Sequence, residues 1–98
     1  MRIIYHPEAE AELVEAAQFY DQRVVGLGSR FLAEFDSAVS DILQSPEQWP
    51  RVEGDLHRHR VRRFPFSVYY RVVADELRIL VVRHHSRHPD YWRHRLGE

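Results

Sequence analysis

The sequence contains no cysteine, which excludes disulfides, a cysteine nucleophile and any cysteine-ligated zinc site. It contains no lysine either: all 14 basic residues are arginine. Arginine offers a planar fork for phosphate and carboxylate that lysine lacks. Long apolar runs are also missing. No stretch approaches the about 20 residues needed to span a bilayer. The opening MRIIYHPEAEAEL turns acidic by Glu8 and never becomes the apolar core of a signal peptide. These absences lead us to expect a cytoplasmic protein. No glycine-rich phosphate loop occurs, so neither a bound nucleotide nor another cofactor is expected.

What remains is an ordinary globular balance, with 44% hydrophobic and 30% charged residues, which argues against disorder. Ninety-eight residues make one domain, residues 1–98, with a modest core. The net charge of −1 hides a polarity. Residues 1–50 hold nine acids and three arginines, whereas residues 51–98 hold six acids, eleven arginines and six of the seven histidines. The basic half predicts a surface that meets something acidic.

Residues 2–5 form a short apolar strand candidate. His6-Pro7 then opens a helix, since proline is tolerated at the first helical position, and Glu8, Glu10 and Glu12 complement the helix dipole. Ala9, Leu13, Ala16, Tyr20 and Val24 give this helix one apolar face. Gly26 and Gly28 end it, and Ser29 can cap the next helix. Phe31, Phe35, Val39 and Ile42 form the second stripe, widened by Leu32, Ala38 and Leu43, until Ser45-Pro46 stops it. Gln48-Trp49-Pro50 and Gly54-Asp55 read as turns. Residues 56–64 are a strand candidate interrupted by Pro65. Residues 68–73 and 77–83 are β-branched and aromatic runs split by Ala74-Asp75-Glu76, a hairpin signal. Residues 88–95 suggest a turn and a short helix. The predicted order is β-α-α-β-β-β-α, an α+β domain with an N-terminal helical hairpin packed on a mostly antiparallel sheet and a short C-terminal helix.

Two clusters carry the candidate chemistry. Alternation along residues 56–64 puts Arg58, Arg60 and Arg62 on one strand face. Burying three unpaired like charges is costly, so they face solvent or a partner. The run reads either as a solvated face whose charges block edge aggregation or as an anion-binding face. The second cluster runs through Arg83, His84, His85, Arg87, His88, Tyr91, Trp92 and Arg95. Its histidines lack the HExxH pattern and have no cysteine to join them, so no metal site is expected. Histidine here can move protons or, when protonated, hold phosphate. Tyr91 can stack on a base or polarise a hydroxyl, and Trp92 can pack the tail against the sheet.

The run Ala11-Glu12-Leu13-Val14-Glu15-Ala16, followed by Phe19-Tyr20 and Leu27-Gly28-Ser29-Arg30-Phe31, resembles the helical hairpin of the RelE/ParE toxin superfamily. The same holds for Pro46-Glu47-Gln48-Trp49-Pro50, for Arg62-Arg63-Phe64-Pro65-Phe66-Ser67-Val68-Tyr69-Tyr70-Arg71-Val72, and for the closing residues 84–92. The likeness covers nearly the whole chain in order and is strongest to the ParE-type branch, the plasmid stabilisation proteins. It implies the toxin of a type II toxin–antitoxin system, which inhibits growth until a cognate antitoxin binds it. Operator DNA is then met only through the antitoxin.

ParE-like members poison DNA gyrase, and RelE-like members cut messenger RNA in the ribosomal A site. The resemblance maps the nuclease set onto Arg58 and Arg60, onto His85 with Arg83 and Arg87 nearby, and onto Tyr91. Where RelE-like enzymes place an arginine before the VYYRV-like strand, this chain has Ser67. The expected function is therefore gyrase inhibition by binding. Two alternatives stay open: a ribosome-dependent endoribonuclease with Arg60, His85 and Tyr91 as catalytic residues, and an inert antitoxin-binding domain. The expected binding surface comprises Arg58, Arg60, Arg62, Arg83, Arg87, Tyr91 and Trp92, with an acidic antitoxin segment as its first partner.

Overall fold

The structure, a computed structural model, describes residues 1–97. Strand β1 (Arg2–Tyr5) leads directly into α1 (Pro7–Arg23). Pro7 occupies the first turn, and His6 Nδ1 accepts the Glu8 N–H at 3.1 Å, so the residue before proline acts as the cap. Helix α2 spans Leu27–Gln44. The sheet is completed by β2 (Arg51–Glu53), β3 (Leu56–Arg60), β4 (Phe66–Val73) and β5 (Glu76–His84), and a 3₁₀ turn spans Arg93–Gly97. Strand order is β1-β5-β4-β3-β2, antiparallel throughout except for the parallel β1/β5 pair. This is the expected α+β plan, with one short edge strand added.

The helical hairpin turns differently from the sequence expectation. Helix α1 ends at Arg23, and Val24 is exposed as its C-terminal cap. Gly26, at φ 86°, precedes α2, while Gly28 and Ser29 lie inside its first turn, so Ser29 is not the cap. The capping oxygen comes from α1: Asp21 Oδ1 accepts the Gly28 N–H at 2.7 Å. The approach is so close that a Cβ on Gly28 would stand 2.3 Å from the Ala17 carbonyl oxygen. The buried stripe of α2 is Phe31, Phe35, Ala38, Val39 and Ile42; Leu32 and Leu43 lie outside it, each 38% exposed.

The sheet buries both faces. Its helix side carries Val61, Phe66, Val68, Tyr70, Leu77, Ile79 and Val82. Its far side carries Leu56, Tyr69, Leu80 and Val81 beneath Trp92. A β-bulge makes this possible. Tyr70 pairs with Ile79 but Tyr69 pairs with Val81, so Leu80 is an extra residue on β5. Leu80 and Val81 therefore both point to the far side, and every later residue of β5 changes face.

Strand β3 is shorter than expected. It stops at Arg60, and Arg62 lies in the following turn, where Arg63 adopts φ 67° and Glu34 holds its guanidinium at 2.9 Å. Left-handed backbone at Arg63 cannot continue a strand, so Arg62 does not extend the Arg58/Arg60 row.

Gly28→Ala should lower stability by about 1–3 kcal/mol, because the methyl forces the helices apart. Gly26→Ala should cost about 1–2 kcal/mol from backbone strain alone. Urea denaturation of both variants checks this, and an unchanged midpoint for Gly28→Ala would contradict the close approach.

Candidate functional site

Cross-strand register assembles the basic residues. Arg60 of β3 pairs with Ser67 of β4, and Ser67 pairs with Arg83 of β5, giving an Arg–Ser–Arg row across three neighbouring strands. Arg83 reaches this face only because the Leu80 bulge shifts its phase. His85, just beyond β5, joins the row through a 2.9 Å hydrogen bond between its Nε2 and Ser67 Oγ. With Arg58, His59, Trp49 and Pro50 these residues line a pocket of about 620 Å³.

The pocket is electrostatically one-sided. Among the described residues no carboxylate lines it. Asp41 is turned to His59, whose Nε2 it meets at 3.0 Å. Arg83 is braced along the wall: its Nη2 donates to the carbonyls of Arg87 at 2.8 Å and His85 at 3.4 Å, leaving Nε buried without a partner. Burial, then the charges of Arg60 and Arg83, hold the His85 imidazole below the usual histidine range. Near neutral pH His85 is therefore uncharged, able to accept or donate a single proton.

Tyr91 is elsewhere. Its hydroxyl donates to Glu12 Oε2 at 2.6 Å, with the Arg87 guanidinium 3.7 Å over its ring. Arg95, 3% exposed, donates to both Glu12 oxygens at 2.8 and 2.9 Å, to Glu8 at 3.1 Å and to the Leu80 carbonyl at 2.9 Å. Burial, and then the bond to Glu12, raise the Tyr91 phenol well above its ordinary range, which makes it a poor general base. Trp92 is 1% exposed, edge-on to Tyr69 at 5.2 Å, so it belongs to the far-side core and offers no binding surface.

Family comparison settles the chain's kinship. The profile of the ParE toxin of type II toxin-antitoxin system, parDE, matches residues 3–89. The chain belongs to the ParE toxin family. A search of the curated proteins found no match. Among solved structures, a chain of the chromosomal ParDE TA system from P. aeruginosa is similar in fold, with a TM-score of 0.74 at 20% identity over 86% of this chain and 95% of that one. No helix among the described residues is long and apolar enough to cross a membrane.

Within this ParE-family chain, the sequence-predicted residues divide into two groups. Arg58, Arg60, Arg83 and His85 share the pocket. Arg87 and Tyr91 belong to the Glu12–Arg95 network, Trp92 to the core, and Arg62 to a turn. The histidine run is dispersed too: His84 Nδ1 accepts the Ser86 N–H, His88 Nδ1 accepts the Asp90 N–H, and His94 pairs with Glu8. Sequence reading missed Glu12, Arg95 and Trp49 as parts of these networks. Glu12 and Arg95 stand 83 residues apart, and Trp49 meets Asp41 and His57 across turns eight residues long that no residue pattern announces.

His85 should titrate below 6.5 in an NMR pH series. Arg60→Gln should raise that midpoint by removing a like charge, while burial keeps it under 6.5. A depressed histidine pKa stabilises the fold above the unfolded value and loses that contribution as pH falls through the folded one. A wild-type midpoint at or above 6.5 would overturn this electrostatic picture.

Proposed function

We propose that this chain is the toxin of its pair, that it acts by binding DNA gyrase without cleaving RNA, and that a cognate antitoxin neutralises it by direct binding. Family membership supports the toxin role. The observation that supports binding over cleavage is the separation of the nuclease set. Cleavage through a 2′-hydroxyl needs a base, an acid and charge stabilisation around one phosphate. Arg60 and His85 line the pocket, but the Tyr91 hydroxyl is committed to Glu12 at 2.6 Å. Ser67, where RelE-like enzymes carry arginine, holds His85 and contributes no charge.

One observation favours the nuclease reading. His85, uncharged near neutral pH, sits in one pocket with Arg60 and Arg83, as a proton-exchanging group beside phosphate-stabilising cations would. The two readings part in a direct assay. Purified gyrase with excess protein should lose supercoiling activity and accumulate cleaved DNA, while translating ribosomes should show no A-site cleavage. Full supercoiling in excess protein, or A-site cleavage of messenger RNA, would reverse the assignment.

A further inference from the structure

On the far face of the sheet, at its β1 end, the strand register sets two arginines side by side. Arg78 of β5 pairs with Arg71 of β4 on one side and with Ile4 of β1 on the other. Directly opposite side chains stand about 5 Å apart at Cβ, and like charges there repel. One carboxylate serves the neighbourhood. Glu76 Oε1 accepts from Arg78 Nε and Nη2 at 3.2 and 3.0 Å, and its Oε2 stands 3.7 Å from Arg2. Arg71 is left to the tail, where its Nη2 donates to the Leu96 carbonyl at 3.2 Å.

Arg71 differs from the other arginines that meet no carboxylate among the described residues. Arg23, Arg30, Arg58, Arg60 and Arg62 are exposed, so water serves them. Arg83 is partly buried but has two backbone carbonyls and the Tyr69 hydroxyl as acceptors. Arg71 is partly buried with one carbonyl, and its Nε is buried without a partner. Desolvating a guanidinium against a single neutral acceptor is costly, and a carboxylate at its remaining donors would offset that cost.

There is room for one. Arg2, Arg71 and Arg78 line a pocket of about 450 Å³, with Ile4, Pro7 and Leu80 as apolar wall. Glu76 is the only acid among the described residues that line it. Arg95 also borders the pocket, but Glu8 and Glu12 already neutralise it. The space is therefore net positive on one side and apolar on the other. Inorganic phosphate would use the charge and leave the apolar wall bare, whereas a carboxylate on an apolar body uses both.

We propose that this Arg2/Arg71/Arg78 pocket binds a carboxylate carried on an apolar body, supplied by a medium-chain carboxylic acid or by the carboxy-terminal residue of an apolar peptide. The site shares no lining residue with the Ser67 pocket, and it holds whichever macromolecule the toxin poisons.

NMR titration of the isotopically labelled full chain tests it. The probes are octanoate, its uncharged analogue octanamide, inorganic phosphate, and acetyl-Gly-Gly-Ala-Leu as free acid and as amide. At least one of the two acids should shift the Arg71 Nε–H and the Ile4 and Leu80 methyls saturably, and the tighter of the two names the source. Arg71→Gln should weaken that binding about tenfold or more. Arg2→Gln, at an exposed position, should weaken it about threefold and keeps the test open if melting curves show that Arg71→Gln does not fold. Arg30→Gln, far from the pocket on α2, should change nothing. The proposal is overturned by no shift with either acid at about 10 mM, by octanamide binding as tightly as octanoate, by phosphate displacing the acids at equal concentration, or by shifts confined to Arg83 and His85.

Discussion

The Glu12–Arg95 ion pair completes a sheet that its own strands leave open. Strand β1 is only four residues long and its pairing ends where Tyr5 meets Ile79. Strand β5 continues to His84, so its next edge groups have no strand beside them. Arg95 Nη1 takes the Leu80 carbonyl, Glu12 Oε1 takes the Val82 N–H at 3.0 Å, and the two side chains join each other at 2.8 Å. Two charged side chains thus act as a missing strand. Removing one partner of a buried pair costs about 3–5 kcal/mol, so the arrangement binds α1, the sheet edge and the tail into one unit.

Several features depend on that clasp. It lies where the Leu80 bulge changes the phase of β5, so one side of the strand keeps feeding the helix-side core while Arg83 turns to the far face. It draws the tail across the sheet, which seats Trp92 over Leu56, Tyr69, Leu80 and Val81. It also takes the Tyr91 hydroxyl out of circulation. The far face is therefore divided into a sealed apolar patch under the tail and an open basic pocket at Ser67. Tyr91 and His85 are thereby kept apart, the one bonded to Glu12 and the other to Ser67.

The sequence showed the helices and the β4/β5 hairpin clearly because their punctuation is local. His6-Pro7 starts α1, Ser45-Pro46 ends α2, and Ala74 at φ 56° turns the hairpin. It hid features set by distant contacts. Strand β2 is a three-residue edge piece with a register shift, too short for a pattern. The bulge falls within Ile79-Leu80-Val81-Val82, four buried apolar residues that give no alternation to read. Arg58 and Arg60 kept their predicted face, but Arg62 lost it to the Arg63 turn. Glu12 read as a helix-dipole acid, yet its partners Tyr91 and Arg95 stand 79 and 83 residues away.

We propose that Tyr91, held by Glu12 at 2.6 Å, is a structural residue and not a catalytic one. The most direct test is growth arrest by Tyr91→Phe, expressed without antitoxin and matched to wild type for level and melting temperature. Phenylalanine keeps the ring against Arg87 and removes only the hydroxyl bond to the Glu12 carboxylate, worth about 1.5–3 kcal/mol. Arrest as strong as that of wild type is expected. Loss of arrest in a folded Tyr91→Phe protein would contradict it and assign the hydroxyl a chemical role.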